Sequence, residues 1–464
     1  MTGTLPRVRG VRLAVLTLVL LGAADTAYAA ERTVVRRSPG FLVGPFQTLK
    51  PKVFVPSPGI DGHITRMHVR LVDARGRPVT IRNVMLHHTV FVKRGRFRNY
   101  REAKCGADRK GQPIYGTGEE NQSLALPRGY GYRIRRSDRW RLQTMLMSHQ
   151  NRAQRVFVEW TMRIATGEHL TPVTPHWVAV THCAKSPSYQ VGGGLGPGAR
   201  HVRSNTWRVP RDGRIVAAGS HLHGGALDFA MTQPRCGERR VVESPPYYGM
   251  PDDLVYRARP VLHEPGPVGT GWYTSRQGFP IRRGERMRVT ALYDAELPHP
   301  GVMAVMHVYV APARRGDRAA RRGCLPPPSD AKVGRFVRGP VRTTPPPFEV
   351  PLNGLDAKGR TVVLERLTGP VRVYDAPGAK PVAVALGTTF RPARLSVANG
   401  TQVTWAFDDG ADHKVQLANG PKALGSPTLN GGVRWSHTFW TPGEYQLFCY
   451  LHPVTMHQEV TVRP

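Results

Sequence analysis

Glycine and proline cut this chain into runs too short for long helices. Its 464 residues include 49 Gly and 42 Pro. Between them, apolar and polar residues alternate over short stretches. Alternation with period two is the pattern of a half-buried strand, whereas an amphipathic helix needs apolar residues every three or four positions over ten or more. Ile64 to Val72, Arg82 to Val92, Arg141 to Met147, Val156 to Ile164 and Val302 to Val310 are such runs. The chain is therefore expected to be all-β. It is too long for one sandwich, so two or three domains are expected.

The C-terminal segment carries the most specific chemistry. Cys449-Tyr450-Leu451-His452-Pro453-Val454-Thr455-Met456 lies between the alternating runs Phe439–Phe448 and Gln458–Val462. His413 lies upstream, after the run Thr401–Phe407 and the turn-forming Asp408-Asp409-Gly410. One thiolate, two imidazoles and one thioether make a trigonal site with a weak axial sulfur, which suits both oxidation states of copper. On these residues the segment from about 345 to 464 resembles the cupredoxins. The resemblance implies a Greek-key β-sandwich with a type 1 (blue) copper held by His413, Cys449, His452 and Met456, and a role in electron transfer.

The N-terminus reads as a leader. Arg7, Arg9 and Arg12 precede the apolar run Leu13–Ala24, and Ala27-Tyr28-Ala29 supplies a small-residue cleavage site. Residues 1–30 are expected to be a signal peptide, and the mature protein to be secreted or extracytoplasmic without a transmembrane segment. In an oxidising compartment Cys105, Cys183, Cys236 and Cys324 are expected to form two disulfides, in any of three pairings. The formal net charge is +34. The cations are scattered, with no basic patch interleaved with aromatics and no nucleic-acid motif. They read as a solvated basic surface with no specific nucleic-acid partner. A Gly cluster at 192–198 and the Pro/Arg-rich stretch 313–347 punctuate the rest. The expected division is a first β-sandwich over 31–185, a second over 186–325, a linker over 326–347 and the C-terminal domain over 348–464.

Further histidines precede that linker. His87-His88 is a tandem pair, His149 follows the run Leu142–Ser148, His221-Leu222-His223 is an HxH pair, and Met303 opens the last alternating run. On a strand, an HxH pair puts both imidazoles on one face. Adjacent histidines point to opposite faces unless a twist or bulge intervenes. The order HH, H, HxH, M over two successive β blocks resembles the copper type II, ascorbate-dependent monooxygenases, the family of peptidylglycine α-hydroxylating monooxygenase and dopamine β-monooxygenase, over roughly 60–325. Leu126–Gly131 ahead of His149, and Cys324 about twenty residues past Met303, agree with it.

That resemblance implies two consecutive antiparallel β-sandwich domains and two further mononuclear coppers. One would be an electron-relay site at His87, His88 and His149. The other would be a catalytic site at His221, His223 and Met303, where dioxygen and a small-molecule or peptide substrate meet. Two departures stand out. The arginine that clamps the peptide carboxylate is Gly219 here, and the family's asparagine and tyrosine after the methionine are Val305 and His307. Peptide amidation is therefore not expected. His307 is open as a ligand, an acid/base group or a strand residue. The expected function is an exported multi-copper redox protein, a copper monooxygenase hydroxylating a C–H bond with a fused blue-copper donor and an unidentified external reductant. The alternative is a non-enzymatic copper-binding or electron-transfer protein that keeps the fold.

Overall fold

The computed structural model describes residues 31–95, 111–167, 169–181, 187–258, 262–315, 317, 323–346, 353–355, 361–363, 367, 369–376 and 378–464. The expected leader, Cys105 and Cys183 lie outside the described residues. The chain is all-β, as its punctuated alternation requires. Its one α-helix among the described residues is the single turn Leu254–Arg257.

The first sandwich packs a seven-stranded sheet, built around Gln154–Ala165 and Gly62–Val72, on a five-stranded sheet built around Trp140–Ser148, Val84–Arg94 and Gly111–Gly118. Along Gln154–Ala165 the period-two set Val156, Val158, Trp160, Met162 and Ile164 is fully buried. It meets Phe91, Trp140 and Leu142 of the other sheet in one core. Phe91 and Trp160 pack edge-to-face at 5.1 Å. Each such side chain contributes about 1.5–3 kcal/mol through burial.

The second sandwich packs a six-stranded sheet, containing His299–Pro312, Gly213–Leu222 and Trp272–Ile281, on the four strands Arg200–Arg208, Arg286–Asp294, Ala226–Gln233 and Arg239–Glu243. The third has a five-stranded sheet that includes Gly443–Phe448 and His457–Arg463, and a four-stranded sheet that includes Gln402–Phe407. Its core is separate and centres on Trp405, Phe407, Phe439 and Tyr445.

Two features differ from the expected division. Thr174–Ala179, inside the segment assigned to the first sandwich, pairs antiparallel with His299–Pro312 of the second. Part of the expected linker is also ordered on the second sandwich: Lys332–Gly334 pairs with Trp272–Thr274, and Arg342 bridges Tyr248. The first two sandwiches share packing as well. Trp272 and Tyr309 join the first core, and the Trp272 indole N–H donates to the Ala125 carbonyl at 2.8 Å. A disulfide joins Cys236 and Cys324, one of the pairs left open by sequence. No described helix is long and apolar enough to cross a membrane.

Candidate metal centres

In the third sandwich, the strand Gly443–Phe448 ends at Cys449 and the chain turns at once. The His452 N–H donates to the Cys449 carbonyl at 2.9 Å, and the Met456 N–H to the His452 carbonyl at 3.0 Å. This tight loop puts Cys449 Sγ 3.7 Å from His452 Nδ1, about the separation expected across a trigonal angle between bonds near 2.3 and 2.0 Å. His413 enters from the other side, its ring 5.0 Å from that of His452. Its Nε2–H donates to the Asp409 carboxylate at 2.8 Å, while Nδ1 is buried without a partner. An orphaned imidazole nitrogen facing a sulfur and a second imidazole fits a metal ligand. Ligand atoms of His413, Cys449 and His452 all lie within 4.8 Å of one another. Met456 is fully buried in the same core as Cys449. Burial raises the Cys449 thiol above its ordinary value, opposed by N–H groups directed at it. These residues fit a copper ion, which would complete the neutralisation of the thiolate.

The remaining histidines converge where the first two sandwiches meet. His87 and His88 lie on Val84–Arg94, whose ladder with Trp140–Ser148 passes from His88↔Met145 directly to Leu86↔Leu146. His87 is the residue skipped, so it sits in a bulge. The bulge is the irregularity that adjacent histidines need to share one site, and their rings lie 5.2 Å apart. His221 is the penultimate residue of the strand Gly213–Leu222, and His223 follows the strand directly. Their Nε2 atoms stand 3.2 Å apart, close to the ~3.3 Å between two tetrahedral ligands at 2.0 Å. His87 and His223 rings are 5.3 Å apart, so the two pairs form a single cluster. The Tyr293 hydroxyl ties Met303 to it, donating to the Met303 carbonyl at 2.6 Å and accepting from the His223 N–H at 3.3 Å.

Two adjacent carboxylates lie beneath these imidazoles. Glu119 and Glu120 follow Gly118, where an added Cβ would lie 2.4 Å from the His87 carbonyl and 3.0 Å from the His221 ring. Only glycine lets the turn approach so closely. Glu120 accepts from His221 Nδ1 at 3.1 Å, which leaves Nε2 as the ligating nitrogen. Glu119 contacts His87 Nδ1 at 2.8 Å and His263 Nε2 at 3.1 Å. Burial pushes His87 down to about 4, helped by His263. Burial, then neighbouring histidines, holds His88 and His223 well below the usual imidazole range. These three are neutral at neutral pH, the form that ligates. Burial opposes the charged form of His221 and His263 too, but Glu120 and Glu119 raise them.

Of the expected ligands, this cluster gathers His87, His88, His221 and His223, with Met303 lining its cavity. His149 stays at the end of its strand. Its N–H donates to the Asn83 carbonyl, four residues and roughly 13 Å of strand from His87. Gly219 has no space for a side chain: an added Cβ would lie 2.4 Å from the Trp272 ring and 2.5 Å from Gln122. Packing between the sandwiches thus leaves no room there for an arginine. His307 stacks on Trp177 at 4.2 Å, and burial pushes it down to about 3. It lines a small cavity of about 120 Å³ with His88, His221 and Met303. His263, Glu119 and Glu120 were not anticipated from sequence.

The third sandwich closes over this cluster. Tyr450, next to Cys449, packs with Phe448 against Met85, Met145 and Met147. Its carbonyl accepts from the Thr48 hydroxyl at 3.2 Å, and its phenol bonds the Lys50 ammonium. The Lys414 ammonium lies 5.2 Å from the same ring. Burial, and then Lys50, lowers Lys414 to about 8. Between the domains is a cavity of about 570 Å³ lined by His87, His88, His223 and Met303 on one side and by Lys414, Gln416 and Tyr450 on the other.

No protein-family model matches the chain, and no curated protein matches it. Solved structures similar to part of it include a purple cupredoxin from Nitrosopumilus maritimus, 30% identical, matching 18% of this chain and 99% of that one with a TM-score of 0.16. The Cu(I) form of an amicyanin variant is 31% identical, over 19% of this chain and 85% of that one, with a TM-score of 0.17. The reduced state of another amicyanin variant is 28% identical, over 18% and 81%, also with a TM-score of 0.17. These neighbours are cupredoxins.

Proposed function

We propose that this chain is an extracytoplasmic copper protein. Its C-terminal thiolate centre exchanges single electrons with metal held by the histidine cluster of the first two sandwiches. The observation that carries this reading is the seat of Tyr450: one residue from the thiolate sulfur, it packs on Met85 of the strand that presents His87 and His88 and on Met145 and Met147 of the strand paired with it. Copper, when bound, supplies one-electron redox chemistry and the activation of dioxygen. The protein's own groups do the rest. Asp409 and Glu120 orient His413 and His221, Tyr293 holds Met303 beside His223, and the docked third domain walls one side of the cavity.

The finer reading is hydroxylation of a substrate C–H bond. It is supported by a partly open cavity of substrate size beside His223 and Met303. With Gly219 closed off, Lys50 and Lys414 are the cations available to an anionic substrate. A scaffold kept only for electron transfer would have no use for this space. The test is oxygen uptake by the copper-loaded, reduced protein across a panel of small C–H substrates with carboxylate or phosphate groups. Uptake coupled to one substrate, and lost in His223→Ala, supports hydroxylation. Uptake that no substrate stimulates leaves the electron-transfer reading alone.

A further inference from the structure

We propose that His87, His263 and Glu119 form a binding site for a divalent first-row transition-metal ion, with the Met85 thioether as a fourth donor. This goes beyond the electron-transfer reading, because His263, Glu119 and Met85 belong to none of the expected ligand sets.

The argument is one of lone pairs. His263 Nδ1 lies 2.6 Å from the Glu264 carbonyl, a contact that only an N–H can make. In the neutral ring, Nε2 then carries a lone pair. That nitrogen faces Glu119 Oε1 at 3.1 Å and Met85 Sδ at 3.1 Å, and neither can donate. Glu119 Oε2 is occupied by the Gly266 N–H at 3.0 Å. Oε1 is left to His263 and to His87 Nδ1, 2.8 Å away. Three acceptor atoms thus converge beside a second imidazole, in a place where the Glu119 side chain is only 6% exposed. A buried group of this kind needs a positive centre.

A proton on His263 would serve one edge of the group. A metal ion would serve all of it. Bonds of 2.0–2.1 Å to nitrogen or oxygen and about 2.3 Å to sulfur, at angles near a right angle, put ligand atoms about 2.8–3.1 Å apart, and the observed contacts span 2.8–3.1 Å. Two imidazoles and a carboxylate are a set used for divalent iron, zinc and copper, and the thioether tilts the preference towards copper. The donors come from three separate segments: the Val84–Arg94 strand, the turn after Gly118 and the loop before Gly269. His87 and His263 line the interdomain cavity, so the open side of the site faces it.

The test uses the full-length apoprotein, titrated with Cu(II) and separately with Zn(II), with bound metal counted after removal of loosely held ion. Glu119→Gln keeps the shape of the side chain and removes its charge; His263→Ala removes a ligand. Each is expected to weaken one metal equivalent at least tenfold, with the thiolate-to-copper absorption unchanged. His149→Ala is expected to bind like the wild type. The proposal is overturned if His149→Ala loses that equivalent while Glu119→Gln and His263→Ala keep it. It is overturned equally if the wild type binds no ion lost in these variants, which leaves a plain His263–Glu119 ion pair. Loss of the thiolate absorption in the wild type would count against the electron-transfer reading and leave this one standing.

Discussion

The main-chain N–H of Lys414 donates to the Cys449 sulfur from 3.3 Å, one residue after His413 in the chain. Backbone, not a flexible side chain, therefore sets the distance between the strand that delivers the thiolate and the segment that delivers the upstream imidazole. Asp409 completes this arrangement by holding the His413 ring from behind.

Asp409→Asn should loosen that ring without removing a ligand. Copper affinity is expected to fall about 10- to 100-fold, the usual effect of losing an outer-shell carboxylate. A chelator competition titration reads it directly, and unchanged affinity would show that the ring is positioned by packing alone.

Tyr450→Phe and Tyr450→Ala separate packing from hydrogen bonding at the domain contact. The phenylalanine variant keeps the contact with Met85, Met145 and Met147 and loses only the bond to Lys50. Flash reduction of the thiolate centre should give near wild-type electron exchange with the histidine cluster in Phe, and a rate at least tenfold lower in Ala. Equal rates in both would remove Tyr450 from the contact that matters.

Gly219→Ala should be costly although it adds one methyl group. The Cβ would press on Trp272 and Gln122, and overpacking of this kind costs about 1–3 kcal/mol. Denaturant unfolding tests it; a neutral result would mean that the contact between the first two sandwiches yields easily.

His176 gives the fold an acid-sensitive point away from the metal ligands. Burial, and secondarily Arg211, pushes it from 6.5 down to about 3. Between these values the unfolded chain binds more protons than the folded one, so stability falls as pH drops below 6.5 and stops falling near 3. The slope from this one group is at most about 1.4 kcal/mol per pH unit. In His176→Phe, which can still pack on Trp207, unfolding free energies measured at pH 7 and pH 5 should differ by less than in the wild type. An identical difference would show that His176 is not what responds to acid.

Local chemistry was legible in the sequence; assembly across segments was not. Cys449, His452 and Met456 fall within eight residues of one loop, so spacing alone brings them together. His221 and His223 follow from strand periodicity. The tandem His87-His88 was readable only as a condition, a bulge, which the ladder at Met145/Leu146 supplies. His263, Glu119 and Glu120 had no such signal: each is a single residue in a turn or loop, brought in by the meeting of two sandwiches. His149 shows the converse. Its place in a familiar order suggested a ligand, and the register of its strand sets its backbone beside Asn83, four residues along the chain from His87.

Thr174–Ala179 crosses from the first half of the chain to cover the edge of His299–Pro312. A second sandwich begun at the glycine cluster would present that strand's backbone unpaired, an invitation to self-association. The portable module in this chain, the piece that gene fusion or truncation can move intact, is therefore the pair of sandwiches. The histidine cluster, built at their junction, is inherited only with both.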